Sequence, residues 1–320
     1  MKLIVQIPCL NEEETLAVTV RDIPRAMEGV DHVEILVIDD GSSDRTSEVA
    51  KQIGVNHIVR FAKTQGLARA FMAGVDACLR LGADIIVNTD GDNQYKGQDI
   101  PRLIQPILEG KADMVIGDRE THTIEHFSYV KKKLQKVGSW AVRCLSGAAV
   151  PDATSSFRAL TRDAALRLNI VSEFSYTLEA IIQAAKKRIA IQAVPIRTNV
   201  KLRESRLYSS TFAFIKKSTS TIIRTYATYE SLKVFFTIGA IIMLGGIALG
   251  IRFLIFFIAG EGAGHVQSVI LASMLMIIGF LLGMIGLLAD LISANRKLIE
   301  DMLYRVRKLE LSSPSEDDLT

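Results

Sequence analysis

Residues 83–94 read "ADIIVNTDGDNQ", and this stretch decides the fold. "ADIIV" is a short, β-branched apolar run of the kind that fills a strand buried on both faces. It runs into Asp90-Gly91-Asp92, although burying a carboxylate is costly unless it is paired or bound to a metal. An Asp-x-Asp turn at a strand end directs both carboxylates into one space, and Gly91 between them leaves room for a ligand to approach. Hard oxygens suit Mg²⁺ or Mn²⁺, which take one or two carboxylates plus substrate phosphates. Asp92 and Gln94 are placed to hold such an ion, and Asp90 to face a nucleotide.

The same alternation extends outward. "KLIVQI" (2–7), "VEILVI" (33–38), "HIVRF" (57–61), "ADMVIG" (112–117) and "RIAIQAVPI" (188–196) read as further strands. Helical stretches lie between them at 66–82 and 99–110, the second opening at Asp99 with Pro101 just inside. Strand–helix alternation predicts an α/β fold, a mainly parallel sheet with helices on both faces. Ligands of such sheets bind beyond the carboxyl ends of the strands. No GxGxxG follows the first strand and no GxxxxGK[ST] occurs, so dinucleotide and P-loop phosphate sites are excluded.

Two other strand ends carry unusual polar groups: "IPCLNEEE" (7–14) and "VIDDGSSDRT" (37–46). In the second, Ser43 or Asp44 can cap the next helix, and Asp39 suits a hydrogen bond to a base or ribose. Each motif alone reads equally as an ordinary capped loop. Three on one sheet edge read as a site.

The 320-residue chain has a net charge of +3 and no long basic block, so composition gives no reason to expect nucleic acid. Cys9, Cys78 and Cys144 stand far apart, which argues against a disulfide framework or thiolate zinc site and fits a reducing compartment. The amino terminus turns acidic after a short apolar run and reads as a first strand, not a signal peptide.

Apolar residues concentrate near the carboxyl terminus. Residues 234–251 and 266–289 carry no charge, and at helical rise they reach about 27 and 36 Å against a hydrocarbon core of ~30 Å. Two transmembrane helices are the expectation, with a buried hairpin as the alternative. Lys201, Arg203, Arg206, Lys216, Lys217, Arg224 and Lys233 flank the first run, and Arg296, Lys297, Arg305, Arg307 and Lys308 follow the second. The turn at 259–265 has no Lys or Arg. The positive-inside rule then puts both termini in the cytosol. Arg252 sits where it can snorkel, and Asp290 closes the second span.

"PCLNEEE", "DDGSSD", "DGDNQ" and "PDATSSFR", in this order, resemble the GT-A glycosyltransferases of family 2. The likeness is strongest to polyprenyl-phosphate glycosyltransferases, the dolichyl-phosphate mannose synthase and undecaprenyl-phosphate sugar transferase group, and covers about residues 1–230. It implies a metal-dependent, inverting transfer from a UDP- or GDP-linked sugar to a polyprenyl phosphate, with Mg²⁺ or Mn²⁺. It also implies a homo-oligomer in a bacterial cytoplasmic membrane, with its catalytic domain cytosolic. On this reading residues 1–205 form the GT-A domain, 206–232 a juxtamembrane amphipathic region, 233–292 a two-helix hairpin and 293–320 a cytosolic tail.

Carried over by position, Pro8, Leu10, Glu12, Asp39, Asp90 and Gly91 fall where the family holds the donor nucleotide. Asp92 and Gln94 match the metal positions, and Asp152 the catalytic acidic residue near the acceptor. Arg119 and Arg206 match phosphate-binding arginines. Arg158, Arg203 and Lys132, within Lys131–Lys133, add positive charge for the phosphates, or for anionic lipid headgroups. There are departures: Gly91 replaces a usual alanine, and Ser156 a usual glycine.

A lipid phosphate monoester has a second pKa near 6 and is already largely a dianionic nucleophile. Asp152 is therefore expected to orient the acceptor or Arg158 more than to abstract a proton; a purely structural pairing with Arg158 is the alternative. Tyr208, Phe212, Ile215, Ile222, Tyr226 and Tyr229 share one helical face, which reads as an interfacial helix or as one packed on protein. Competing functions are a processive polysaccharide synthase, against which stands the absence of QxxRW around Trp140, and a silent nucleotide-binding membrane scaffold.

Overall fold

The computed structural model describes residues 1–119, 150–171, 176–199, 220, 230–260 and 262–311. The chain forms two compact units, one of 1–222 with 303–320 and the other of 223–302.

The first unit is built on a seven-stranded sheet: β1 (Lys2–Cys9), β2 (His32–Asp39), β3 (His57–Arg60), β4 (Ile85–Asn88), β5 (Met114–Asp118), β6 (Arg158–Thr161) and β7 (Ile191–Pro195). Their order is β3-β2-β1-β4-β6-β5-β7. All six expected strands form. The seventh, β6, is a four-residue strand wedged antiparallel between β4 and β5. The other pairings are parallel. The central strands are buried on both faces, Leu3, Ile4, Val5, Ile7, Ile85, Ile86 and Val87 being fully so. That burial is why they read as continuous apolar runs.

The helices are α1 (Leu16–Asp22), α2 (Thr46–Gln52), α3 (Leu67–Arg80), α4 (Ile100–Leu108), α5 (Arg162–Arg167) and α6 (Tyr176–Lys186). The α3 helix buries Phe71, Val75, Cys78 and Leu79 on one face. It crosses the sheet so closely that a Cβ on Gly74 would lie 2.7 Å from the Ile38 side chain. Asp99 stands at the N-cap of α4 as expected, but its carboxylate does not cap the helix. It takes Arg197 instead, through the Arg197 backbone N–H at 2.7 Å and the guanidinium. Burial alone would raise the Asp99 pKa; the Arg197 hydrogen bonds outweigh it and hold the pKa low.

The second unit holds α7 (Ser231–Ile258) and most of α8 (Val266–Glu310). Both are long and apolar enough to cross a membrane, and only 6% and 17% of their most apolar windows are buried. A helix from a soluble core would be mostly buried, so the buried-hairpin alternative loses its support. The helices pack antiparallel through small residues. A Cβ on Gly239 would meet the Gly279 carbonyl oxygen at 2.7 Å, and one on Gly246 the Ala272 carbonyl oxygen at 3.0 Å. Ala272, Gly279, Gly286 and Ser293, each seven residues on, form the buried line of α8. Small residues let helix backbones approach where apolar surface gives no preference for protein over lipid.

Past Asp290 the second apolar helix continues unbroken to Glu310, and its last turns group with the first unit. Tyr304 donates to Asp163 at 2.7 Å, Arg307 to the Leu168 carbonyl at 3.1 Å, and Arg80 pairs with Glu310 at 2.9 Å. The expected interfacial helix, apart from single residues, lies outside the described residues.

Candidate active site

The loops after β1 and β2 are stitched to each other. Asn11 adopts a left-handed conformation (φ 56°), which asparagine tolerates better than most residues. There its N–H donates to Ser42 Oγ at 2.9 Å while its Oδ1 accepts from Ser43 N at 2.9 Å. Glu12 N donates to Thr46 Oγ1 at 2.8 Å. The N-cap position of α2 falls on Arg45, not on Ser43 or Asp44, and Asp44, one residue earlier, accepts from Thr46 N at 3.0 Å. Asp40 receives Gln65 N at 2.6 Å and Gly66 N at 2.9 Å, fixing the entry to α3.

Asp39 differs from its sequence reading. It is fully buried, accepting from Ser42 N at 2.8 Å and from the Ser47 hydroxyl, with Arg60 3.4 Å away. In this structure it staples the turn. Pro8 is buried on β1. Gln6 O accepts from Thr89 N, so the missing N–H of Pro8, two residues on, faces the same side beyond the end of β4. Leu10 is 39% exposed at the strand's mouth.

Gly91 is explained by packing, not by ligand approach. A Cβ there would lie 2.9 Å from Cys9 Sγ and 3.2 Å from Glu12 Cγ. Its carbonyl lies 2.8 Å from Thr15 Oγ1 and 3.1 Å from Thr19 Oγ1, which pins the turn to α1. Burial, and then the charges of Glu12, Asp39, Asp90 and Asp44, push the pKa of the Cys9 thiol well up, which disfavours the thiolate.

Asp90 and Asp92 share one space, as the sequence implied. Burial, and then the Asp92 charge, raise the Asp90 pKa to about 7, against the Ser156 hydrogen bond and the Arg119 charge that lower it. Asp92 Oδ1 accepts from Gln94 N at 3.1 Å. Asn93 is left-handed (φ 56°). The segment after β7 holds the turn, with Asn199 N donating to Gln94 O at 2.9 Å and Asn199 Nδ2 reaching Asn93 Oδ1 at 3.2 Å. Among the described residues no group of three or more His, Cys, Asp or Glu side chains could hold a metal ion. Asp92 and Gln94 offer two hard oxygen donors, and the neighbouring half-buried Asp90 carboxylate adds negative charge that a dication would offset.

The residues expected on the acceptor side come together in a way the sequence did not show. Asp152 pairs with Arg119, Nε to Oδ2 at 2.6 Å and Nη2 to Oδ1 at 3.0 Å, and not with Arg158. The same Nη2 reaches Thr154 Oγ1 at 2.8 Å. Burial disfavours the Arg119 charge, yet Tyr95, Asp152 and Asp90 around it raise its pKa. Arg119 also lies over the Tyr95 ring, 5.8 Å from its centroid.

Arg158 is not presented to a phosphate. It is fully buried on β6, with Nε donating to Ser155 O at 2.8 Å and Nη2 to Ala153 O at 3.1 Å. Burial pushes its pKa down to about 10, so it stays charged at neutral pH. It braces the 152–156 loop from beneath. Lys132, Arg203 and Arg206 lie outside the described residues.

Sequence reasoning missed Tyr95, Asn199 and the buried ladder under the site. Gln6 Nε2 donates to Asn88 Oδ1 at 3.0 Å, and Asn88 Nδ2 to Ser156 O at 2.9 Å and Tyr176 Oη at 2.8 Å. An amide inside a strand of buried apolar residues was the available signal for Gln6 and Asn88. Tyr95 and Asn199 carried none.

Residues 4–168, just over half of the chain, match the glycosyl transferase family 2 domain. The chain belongs to this family. Among the family 2 relatives is the UDP-N-acetylglucosamine–dolichyl-phosphate N-acetylglucosaminyltransferase of Methanococcus voltae, 28% identical over 60% of this chain and 83% of that protein. The polyprenol monophosphomannose synthase of Mycolicibacterium smegmatis is 28% identical over 60% of this chain and 76% of its own. Glucosyl-3-phosphoglycerate synthase from Mycobacterium tuberculosis, solved with Mn²⁺, UDP and glucosyl-3-phosphoglycerate, shares the fold. It has a TM-score of 0.55 at 20% identity over 71% of this chain and 78% of that one. The protein is thus a family 2 glycosyltransferase of GT-A-like fold.

Proposed function

We propose that this glycosyltransferase moves a sugar from a UDP- or GDP-linked donor to the phosphate of a polyprenyl phosphate at the cytosolic face of a membrane. One observation carries the reading: the acidic pair Asp90 and Asp92 lies within electrostatic reach of Arg119, which is clamped to Asp152 at the same sheet edge. The chain's two long apolar helices supply a reason for a lipid acceptor, and the relatives' names point the same way.

Asp92 and Gln94 are assigned to a Mg²⁺ or Mn²⁺ ion, which on binding a donor diphosphate stabilises charge on the leaving group. Pro8, Leu10, Glu12, Asp39, Asp90 and Gly91 shape the donor side, Asp39 acting from beneath. Among the described residues Arg119 is a cation within reach of this site for an incoming phosphate, and a planar guanidinium suits two oxygens at once. Asp152 holds that guanidinium in place. A dianionic lipid phosphate needs no general base, so Asp152 serves by orientation. The Lys/Arg distribution along the sequence supports a cytosolic site.

The test is a panel of radiolabelled nucleotide-sugars incubated with the membrane-embedded protein, Mn²⁺ or Mg²⁺ and polyprenyl phosphate, followed by organic extraction. Label from one donor should enter the lipid phase and depend on the metal. Extracts that stay unlabelled with every donor would sink the acceptor assignment.

A further inference from the structure

Ser156 stands where the family resemblance expects glycine, and its hydroxyl is a group that glycine would not supply. That hydroxyl is bonded to the Asp90 carboxylate and lies 3.0 Å from Tyr95 Oη. The Ser156 N–H donates to the same Tyr95 Oη at 3.1 Å. The Ser156 hydroxyl thus touches both the Asp90 carboxyl and the Tyr95 hydroxyl, and the Ser156 N–H closes the set on Tyr95 Oη, so the three groups form one bonded series in which each bond polarises the next.

The surroundings leave this series little freedom. Tyr95 is 3% exposed and Ser156 6%. The Tyr95 ring stacks on Phe157 at 5.2 Å and lies beneath the Arg119 that grips Asp152. The Ser156 carbonyl is held by Asn88. One hydroxyl thus joins the turn after β4 to the loop before β6.

We propose that Ser156 is a positioning residue that ties Asp90 on the donor side to the acceptor loop, so that donor and acceptor seat interdependently. The proposal rests on the donor and acceptor assignments above. With glycine at this position Asp90 loses its hydroxyl partner, and only the backbone contacts to Tyr95 and Asn88 still join the two loops.

The experiment compares the full chain with Ser156→Gly, Ser156→Ala, Tyr95→Phe and the Ser156→Gly/Tyr95→Phe double variant. It reads the affinity for UDP and GDP with Mn²⁺, the KM and kcat for each substrate, and the melting temperature. Both Ser156 variants should weaken Mn²⁺–nucleotide binding about tenfold, the effect of losing a hydrogen bond to a charged group. They should also raise KM for polyprenyl phosphate at saturating donor. Tyr95→Phe should shift both quantities the same way by less, and the double variant should be no worse than Ser156→Gly alone. Wild-type affinity and KM in both Ser156 variants, with only the melting temperature changed, would reduce Ser156 to packing. Additive effects of Ser156→Gly and Tyr95→Phe would break the series. Should Ser156→Gly fail to fold, Ser156→Ala keeps the Cβ and reads the same quantities. Wild-type protein that binds nucleotide but transfers no sugar to lipid would overturn the acceptor assignment, while the nucleotide affinities still decide whether Ser156 seats Asp90. Wild-type protein that binds neither nucleotide overturns both.

Discussion

The two halves of the site hold their charges by different means. On the donor side, neutral dipoles do most of the holding: Ser42 N on Asp39, Gln65 N and Gly66 N on Asp40, Thr46 N on Asp44. On the acceptor side two buried arginines do it, Arg119 on the Asp152 carboxylate and Arg158 on two backbone carbonyls. Neutral donors fix a carboxylate without cancelling its charge, so the donor half stays negative and suits a cation bridging to a diphosphate. Guanidinium groups bring positive charge, which suits an anionic acceptor. The difference fits the proposed function, in which one side would hold a metal–nucleotide and the other a phosphate.

The sharpest way to break the comparison is Asp92→Ala. It removes a metal oxygen without touching the staples of the donor loops, so the Mn²⁺-dependent gain in UDP or GDP affinity should fall by roughly a hundredfold or more, with the fold intact. Calorimetric titration with and without Mn²⁺ checks it; affinity that keeps its metal dependence would remove Asp92 from the metal site. Asp152→Asn comes next. It leaves Arg119 without its counter-charge, and kcat should fall on the order of a hundredfold while nucleotide affinity holds. Parallel loss of nucleotide binding would move Asp152 to the donor half.

Arg158→Met probes the brace alone. Two buried carbonyls lose their donor, at a cost of about 3 kcal/mol. Denaturant unfolding measures it, and a near-neutral result would mean that the loop finds other partners. The smallest effect belongs to Gly91→Ala. Its Cβ would press on Cys9 Sγ at 2.9 Å, costing about 1–2 kcal/mol. Adding Cys9→Ala should recover most of that loss. Failure to recover it would put the strain on Glu12.

The donor half was legible because its residues follow parallel strands whose apolar runs announce themselves. Asp90, Asp92 and Gln94 came from one such strand end, and the structure keeps them together. The acceptor half was not, because β6 is four residues long and opens with a buried arginine. An arginine with backbone carbonyls as partners looks, in sequence, like one free for a phosphate. Asp152 was found, but its partner was misassigned: Arg158 is near in sequence, whereas Arg119 reaches it from β5 across the sheet edge.

The sequence by itself determined the six apolar strands, the acidic turn at 90–92, the family and the two apolar helices, since each rests on local pattern and composition. Only the tertiary structure decided that Arg119 grips Asp152, that Gly91 makes room for Cys9, that Ser156 and Tyr95 join the two halves, and that α8 runs on to dock Tyr304 and Arg307 on the catalytic unit. Each of those contacts joins residues far apart along the chain or on different strands. Its energy comes from burying charged and polar groups against specific partners, and that choice of partner is made when the sheet assembles.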